Sequence, residues 1–246
     1  MITTVLRPHW PAAAAVRALS TLRAGGISAG TYRSFNLGDL VGDEPACVAE
    51  NRRSLCAAHG LPAEPHWLRQ VHGTVVADLD RFPEVPATAD AAYTRRRGVV
   101  CAVLTADCLP VLIADVDGEA VAAAHAGWRG LAGGVLEATV TALSLDPSRL
   151  LAWLGPAIGP QRFEVGAEVR AQFLASDRRA ESAFVPSPAG GRYLANLELL
   201  ARQRLEASGV TRIFASGECT HSQPERFFSY RRDGQTGRHA TLIWKD

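Results

Sequence analysis

Three side chains able to hold a transition metal stand at comparable places in the chain: His72 closes LRQVHG, Cys108 closes VLTADC and His125 closes VAAAHAG. Each ends an apolar run predicted to be a strand and enters a loop with glycine or proline close by, where rigid scaffolds commonly display functional groups. Two imidazoles and one thiolate suit zinc, and three protein ligands leave the fourth tetrahedral position open, the pattern of catalytic rather than structural zinc. Such a site lowers the pKa of bound water to about 7 and makes hydroxide available at neutral pH. Each residue also has a plainer reading. A histidine in an apolar strand is commonly a hydrogen-bonded core residue, and a reduced cysteine a small buried hydrophobe. The separations match no short zinc pattern, so spacing alone leaves both readings open.

The neighbouring residues add chemistry. Asp107, beside Cys108, puts a carboxylate where it could act as acid or base on a metal-bound water; the alternatives are a turn aspartate or an anchor for a ligand. Arg129, held in GWRG, could clamp a phosphate or carboxylate through its planar fork, or pair with an acid. Trp128 is expected to pack under that loop. Gln70 could orient a substrate or face solvent. In YRSFNLG, Ser34 and Asn36 could donate to an anion, or tie a turn through side-chain hydrogen bonds.

The elements that must position these groups are partly readable. GVVCAVLTADC opens on a β-branched run suited to a strand buried on both faces, and PVLIADVDGEAVAAAHAG places two apolar runs around Asp117-Gly118, a strong hairpin signal. PHWLRQVHG reads as a short strand ending at His72. GDEPACVAENRRSLCAAHG reads as a helix, with Pro45 in its first turn and Gly60 as its stop. LAGGVLEATVTALSL, GAEVRAQFLASD and ANLELLARQRLEASG read as further helices. LLAWLGPAIGP, VTRIFASGECT and HATLIWKD read as strands. Helices and strands mix, and the hairpin argues against a purely parallel sheet, so the expected fold is an α/β (α+β) sandwich with mixed sheets.

The 246 residues suffice for a large core, and no linker or repeat divides them, so residues 1–246 are expected to form a single domain. With 26 basic and 25 acidic residues the net charge is +1, which provides no polybasic footprint for nucleic acid or membrane. The five cysteines form no C-x-x-C pair, and the N-terminal stretch MITTVLRPHWPAAAAVRALS is interrupted by Arg7, His9 and Arg17, unlike a signal peptide. A cytoplasmic protein with reduced thiols is expected.

RQVHG, LTADCLPVLI, HAGWRG, LGPAIGPQRFEV and FFSYRRDG, preceded by SFNLGDLVGD, together resemble the signature segments of the YfiH family, whose members were first called multicopper polyphenol oxidoreductases or laccases. The resemblance runs from about Gly25 to Trp244. It implies a mononuclear zinc site on His72, Cys108 and His125, with copper as the older alternative. It also implies purine nucleoside chemistry: phosphorolysis of adenosine, inosine and methylthioadenosine to base and ribose 1-phosphate, and deamination of adenosine to inosine. The implied partners are small molecules, a purine nucleoside and phosphate, with no nucleic acid and no membrane, in a monomer or weak homodimer. Three other activities stay open: an amidase editing UDP-MurNAc-L-Ser, a copper-dependent phenol oxidase, and a zinc-stabilised binding module with Cys219 or His221 as a fourth ligand.

Overall fold

The computed structural model describes residues 5–81 and 86–246; the first four residues of the N-terminal stretch lie outside them. In chain order the strands are β1 (Val5–Leu6), β2 (Val16–Thr21), β3 (Val76–Asp78), β4 (Ala91–Thr94), β5 (Cys101–Thr105), β6 (Leu109–Asp115) and β7 (Val121–Ala126). They continue with β8 (Leu150–Leu154), β9 (Glu164–Gly166), β10 (Phe184–Pro186), β11 (Arg192–Ala195), β12 (Arg212–Ala215) and β13 (His239–Lys245). The α-helices are α1 (Pro45–His59), α2 (Trp128–Gly133), α3 (Val135–Leu143), α4 (Ala167–Ser176), α5 (Leu197–Ala207) and α6 (Tyr230–Asp233).

Two sheets form a sandwich. One is six-stranded in the order β12-β8-β6-β7-β4-β3, the other four-stranded in the order β1-β2-β13-β5. The larger sheet is mixed: β12 on β8 and β3 on β4 are parallel, and the remaining pairs are antiparallel. Strand alternation sorts its side chains between two cores. Leu112, Ala114, Val121, Ala123 and Trp153 face the smaller sheet and meet Cys101, Val103 and Ile243. Val111, Ile113, Ala122, Ala124 and Leu154 face the other way, onto a layer that includes Leu131, Leu136, Val140, Phe173 and Leu200 from α2 to α5. The outer face of the smaller sheet is covered by Phe35, Leu37 and Leu55. A short third sheet, β10-β11-β9, packs beside α4.

The fold is therefore a mixed-sheet sandwich with flanking helices, as the sequence predicts. Helix α1 starts with Pro45 at its first position and ends where Gly60 adopts φ +59°, a left-handed cap that a β-carbon would strain. The predicted hairpin is β6–β7, with Leu109 opposite Ala126 and Pro110 opposite His125. Among the described residues no helix is long and apolar enough to cross a membrane.

One predicted strand is absent. PHWLRQVHG makes only isolated bridges, His66 to Cys101 and Arg69 to Thr88. From Gln70 onward side chains replace strand pairing: the Gln70 amide donates to the Leu104 carbonyl at 2.9 Å and accepts from the Leu104 N–H at 2.7 Å. The next three N–H groups, of Val71, His72 and Gly73, all turn onto the Asp90 carboxylate, and His72 takes φ +60° to let them converge. A buried carboxylate thus does the work of a neighbouring strand.

Candidate metal centre

His125 lies on β7 in phase with Val121 and Ala123, so its ring points between the two sheets, toward the end of β5. Just beyond β5 the chain turns at Asp107, φ +97°, an unusual conformation for a residue with a β-carbon. It is held there by its own side chain: Oδ1 accepts from Thr220 Oγ1 at 2.6 Å, and Oδ2 from Ser229 Oγ at 3.0 Å and Arg231 N–H at 2.7 Å. The Asp107 carbonyl also accepts from Ile158 N–H. This turn presents Cys108 beside His125.

His72, Cys108 and His125 converge, with one donor atom from each lying within 4.8 Å of the others. Cys108 Sγ is 3.8 Å from His72 Nε2, and the two imidazole rings meet edge to face, centroids 4.7 Å apart. Nitrogen and sulfur ligands at about 2.0–2.3 Å around tetrahedral zinc stand about 3.3–3.7 Å from one another; the Cys108–His72 separation is close to that, and the three donors together could hold such an ion. Among the described residues it has three members, and neither Cys219 nor His221 joins it. Cys219 Sγ instead accepts from Gly159 N–H at 3.2 Å and sits 3.3 Å from Ser222 Oγ.

The electrostatics match a cation site. Burial opposes ionisation of Cys108, but His125 and His72 overcome it and pull the thiol pKa below its ordinary value. Burial likewise disfavours a charged His125, which the Cys108 thiolate and Asp90 outweigh. His125 Nδ1 donates to Asp90 Oδ1 at 2.8 Å, leaving Nε2 as the ligating atom. Asp90, fully buried, thus fixes the His125 ring and the His72 backbone together.

Gly127 is required by close approach. A β-carbon there would stand 2.8 Å from the His72 ring and 3.0 Å from Cys108 Sγ.

The three donors border a cavity of about 630 Å³, within the range of about 300–1,000 Å³ common for small-molecule sites. Gln70, Asp107 and Arg129 also border it. Gln70 is a wall whose amide is spent on Leu104, and Asp107 is 8% exposed with both oxygens taken by three donors. Of the readings open to Asp107, these bonds make it the anchor of the turn that carries Cys108, while its side chain still borders the cavity. Arg129 is exposed, stacked on Trp128 at 4.4 Å.

Ser34 and Asn36 lie outside the cavity lining. Ser34 Oγ accepts from the N–H groups of Gly25 and Gly26, while Asn36, fully buried, binds Gly38, Asp43 and the Arg238 N–H. Both tie a turn, and the loop they shape, Gly38 to Val41, forms one wall of the cavity. Sequence reasoning missed Asp90 and Arg238. The available signal for Asp90 was a lone acid entering the apolar stretch DAAYT; Arg238, beside the first residue of the closing strand, carried none.

A helix-flanked sandwich with a three-donor His-Cys-His group at a cavity defines a class of α/β protein whose side chains could hold a metal ion at the edge of a cavity of small-molecule size. Residues 17–246 match the family described as multi-copper polyphenol oxidoreductase laccase. The chain is 52% identical over 243 residues to the Escherichia coli K12 protein named purine nucleoside phosphorylase YfiH, covering 99% of each. It is 53% identical over 239 residues to the Pseudomonas aeruginosa protein named purine nucleoside phosphorylase PA4543, covering 97% of each. The solved structure of Neisseria meningitidis NMB0706 superposes with a TM-score of 0.94 at 47% identity, covering 98% of this chain and 99% of that one. That of Geobacillus stearothermophilus YlmD gives 0.86 at 32%, covering 99% and 98%. The chain belongs to this laccase-described family, the YfiH family.

Proposed function

We propose that the protein is a zinc-dependent purine nucleoside phosphorylase acting on adenosine, inosine and methylthioadenosine, with adenosine deamination as a second activity of the same site. The observation that carries this reading is the juxtaposition of an open three-donor group with a nucleoside-sized cavity bordered by arginines. The names borne by relatives about half identical over nearly the whole chain support it. His72, Cys108 and His125 would hold the zinc, which when bound would supply Lewis acidity at the cavity.

The residues around it handle the rest. In phosphorolysis the ribose C1′–N bond breaks, its electron pair leaves with the base, and a phosphate oxygen bonds to C1′. The charge to be held is anionic, and the cavity is bordered by three arginines, Arg129, Arg231 and Arg238, whose guanidinium forks suit it. Leu40, 77% exposed, and Tyr230, 62% exposed, line the same cavity and offer apolar surface to a purine ring. In deamination water adds at C6 and ammonia leaves, which needs no phosphate.

Zinc-loaded protein given about 1 mM adenosine, near the top of common KM values, is expected to release adenine only when phosphate is present and to form inosine without it. Chromatography showing neither product would overturn the nucleoside reading.

A further inference from the structure

We propose that Arg238 is the residue that binds the phosphate co-substrate, its guanidinium set inside the cavity by Asn36 and Gly38. This rests on the phosphorylase reading above and names the anion subsite within it.

Three arginines border the cavity: Arg129, Arg231 and Arg238. Among the described residues none of them is in ion-pair contact with a carboxylate, whereas three of the four acids on the same wall, Asp39, Asp107 and Glu164, are engaged elsewhere. Asp39 pairs with Arg52 at 3.3 Å, Glu164 with Arg192 at 2.9 Å, and Asp107 is spent on its three donors. Arg129 and Arg231 are exposed; Arg238 is the partly buried one. Burial costs a cation solvation that only an anion or strong acceptors restore.

What Arg238 finds in the protein is little. Its Nη1 donates to the Thr236 and Gly237 carbonyls at 2.9 and 3.1 Å, and among the described residues Nε and Nη2 meet no acceptor. Burial accordingly pulls its pKa down from the ordinary arginine value, opposed by Cys108 and Asp107. Arg231 differs, donating to the Glu164 carbonyl while lying over Phe163.

Its position is also built. Asn36 Oδ1 accepts from Arg238 N–H at 2.8 Å, and the Arg238 carbonyl accepts from Leu37 N–H at 3.2 Å. Its stem lies against Gly38, where a β-carbon would stand 2.7 Å from Arg238 Cγ. A tied backbone, a stem with one track and a fork with free N–H groups are what bidentate recognition of a phosphate needs.

The test measures KM for phosphate in inosine phosphorolysis and, separately, binding of inorganic phosphate to zinc-loaded protein by calorimetry. Arg238→Gln is expected to raise the phosphate KM and Kd about 10-fold to 100-fold, the value of a charge-assisted hydrogen bond, with the inosine KM within about threefold. Arg238→Lys keeps the charge but not the fork and is expected to recover part of the loss. Gly38→Ala, which displaces the stem and leaves the guanidinium chemistry untouched, is expected to raise the phosphate KM as well, and it serves if Arg238→Gln does not fold. A folded Arg238→Gln or Gly38→Ala protein with wild-type phosphate KM and Kd overturns the assignment. If wild-type protein releases no base from any nucleoside, the phosphorylase reading fails on its own. Calorimetry then still decides Arg238, by loss or retention of phosphate binding in the variant.

Discussion

Cys108→Ala is expected to remove metal and turnover together while leaving the fold intact. Two imidazoles remain, but the thiolate is the only anionic donor of the group, and it supplies the charge that offsets a divalent cation. The loss in metal affinity should therefore exceed the about 10-fold to 100-fold typical of removing an outer hydrogen-bond partner of a ligand. The fold should survive because Cys108 belongs to none of the three apolar cores; it sits in the turn between β5 and β6, which Asp107 secures by its own bonds. Cys108→Ser separates shape from charge: the hydroxyl fills the same space but does not ionise near neutral pH, so it should behave like alanine. Metal analysis, base release and circular dichroism on the three proteins check this, and full activity in either variant refutes the ligand assignment.

The β6–β7 hairpin and α1 were legible because their signals are local. Asp117-Gly118 sits between two apolar runs, and Pro45 and Gly60 punctuate a helix at its first turn and its stop. The His72 segment was not legible, since its partner is a carboxylate 18 residues away rather than a strand. The two strand histidines show the limit most clearly. His125 and His239 both stand in apolar strands and both are buried. His239 Nε2 accepts from Phe228 N–H at 2.7 Å and its Nδ1 lies 3.1 Å from the Thr105 carbonyl; burial, only partly offset by that bond, holds its pKa down to about 3. Both its nitrogens are occupied, so it is a neutral core residue. His125 also spends Nδ1 on a carboxylate, but the rest of its ring meets Cys108 and His72 rather than backbone groups, and that places it in the candidate metal group. What each ring nitrogen meets depends on chain segments far away in sequence, and composition or periodicity cannot report it. Ser34 and Asn36 failed to reach the cavity for the same reason. Ser34 is tied to backbone of Arg23, Gly25 and Gly26, and Asn36 to Gly38, the Asp43 side chain and the distant Arg238 N–H, and the loop they shape, not their side chains, is what they contribute.

Asp90 is the residue through which site and fold are coupled, and Asp90→Asn should expose that coupling. In the wild type its two oxygens accept four hydrogen bonds, from the N–H groups of Val71, His72 and Gly73 and from His125 Nδ1. Asparagine keeps the shape but offers one acceptor oxygen and turns an NH2 group toward the remaining donors. At least one buried N–H is then left unpaired, at about 1–3 kcal/mol each, and the melting temperature should fall. A purely structural role would end there. The His125 bond predicts more: without a carboxylate on Nδ1 the ring loses its fixed orientation and part of its basicity, so metal affinity should drop about 10-fold to 100-fold. Competition with a chelator, run well below the melting temperature of the variant, separates the two effects. A variant that melts earlier yet holds metal with wild-type affinity would show that Asp90 shapes the His72 turn without tuning His125. A parallel loss of affinity in a still-folded protein establishes that one buried carboxylate, where a strand neighbour was expected, sets both the backbone of the first ligand and the tautomer of the third.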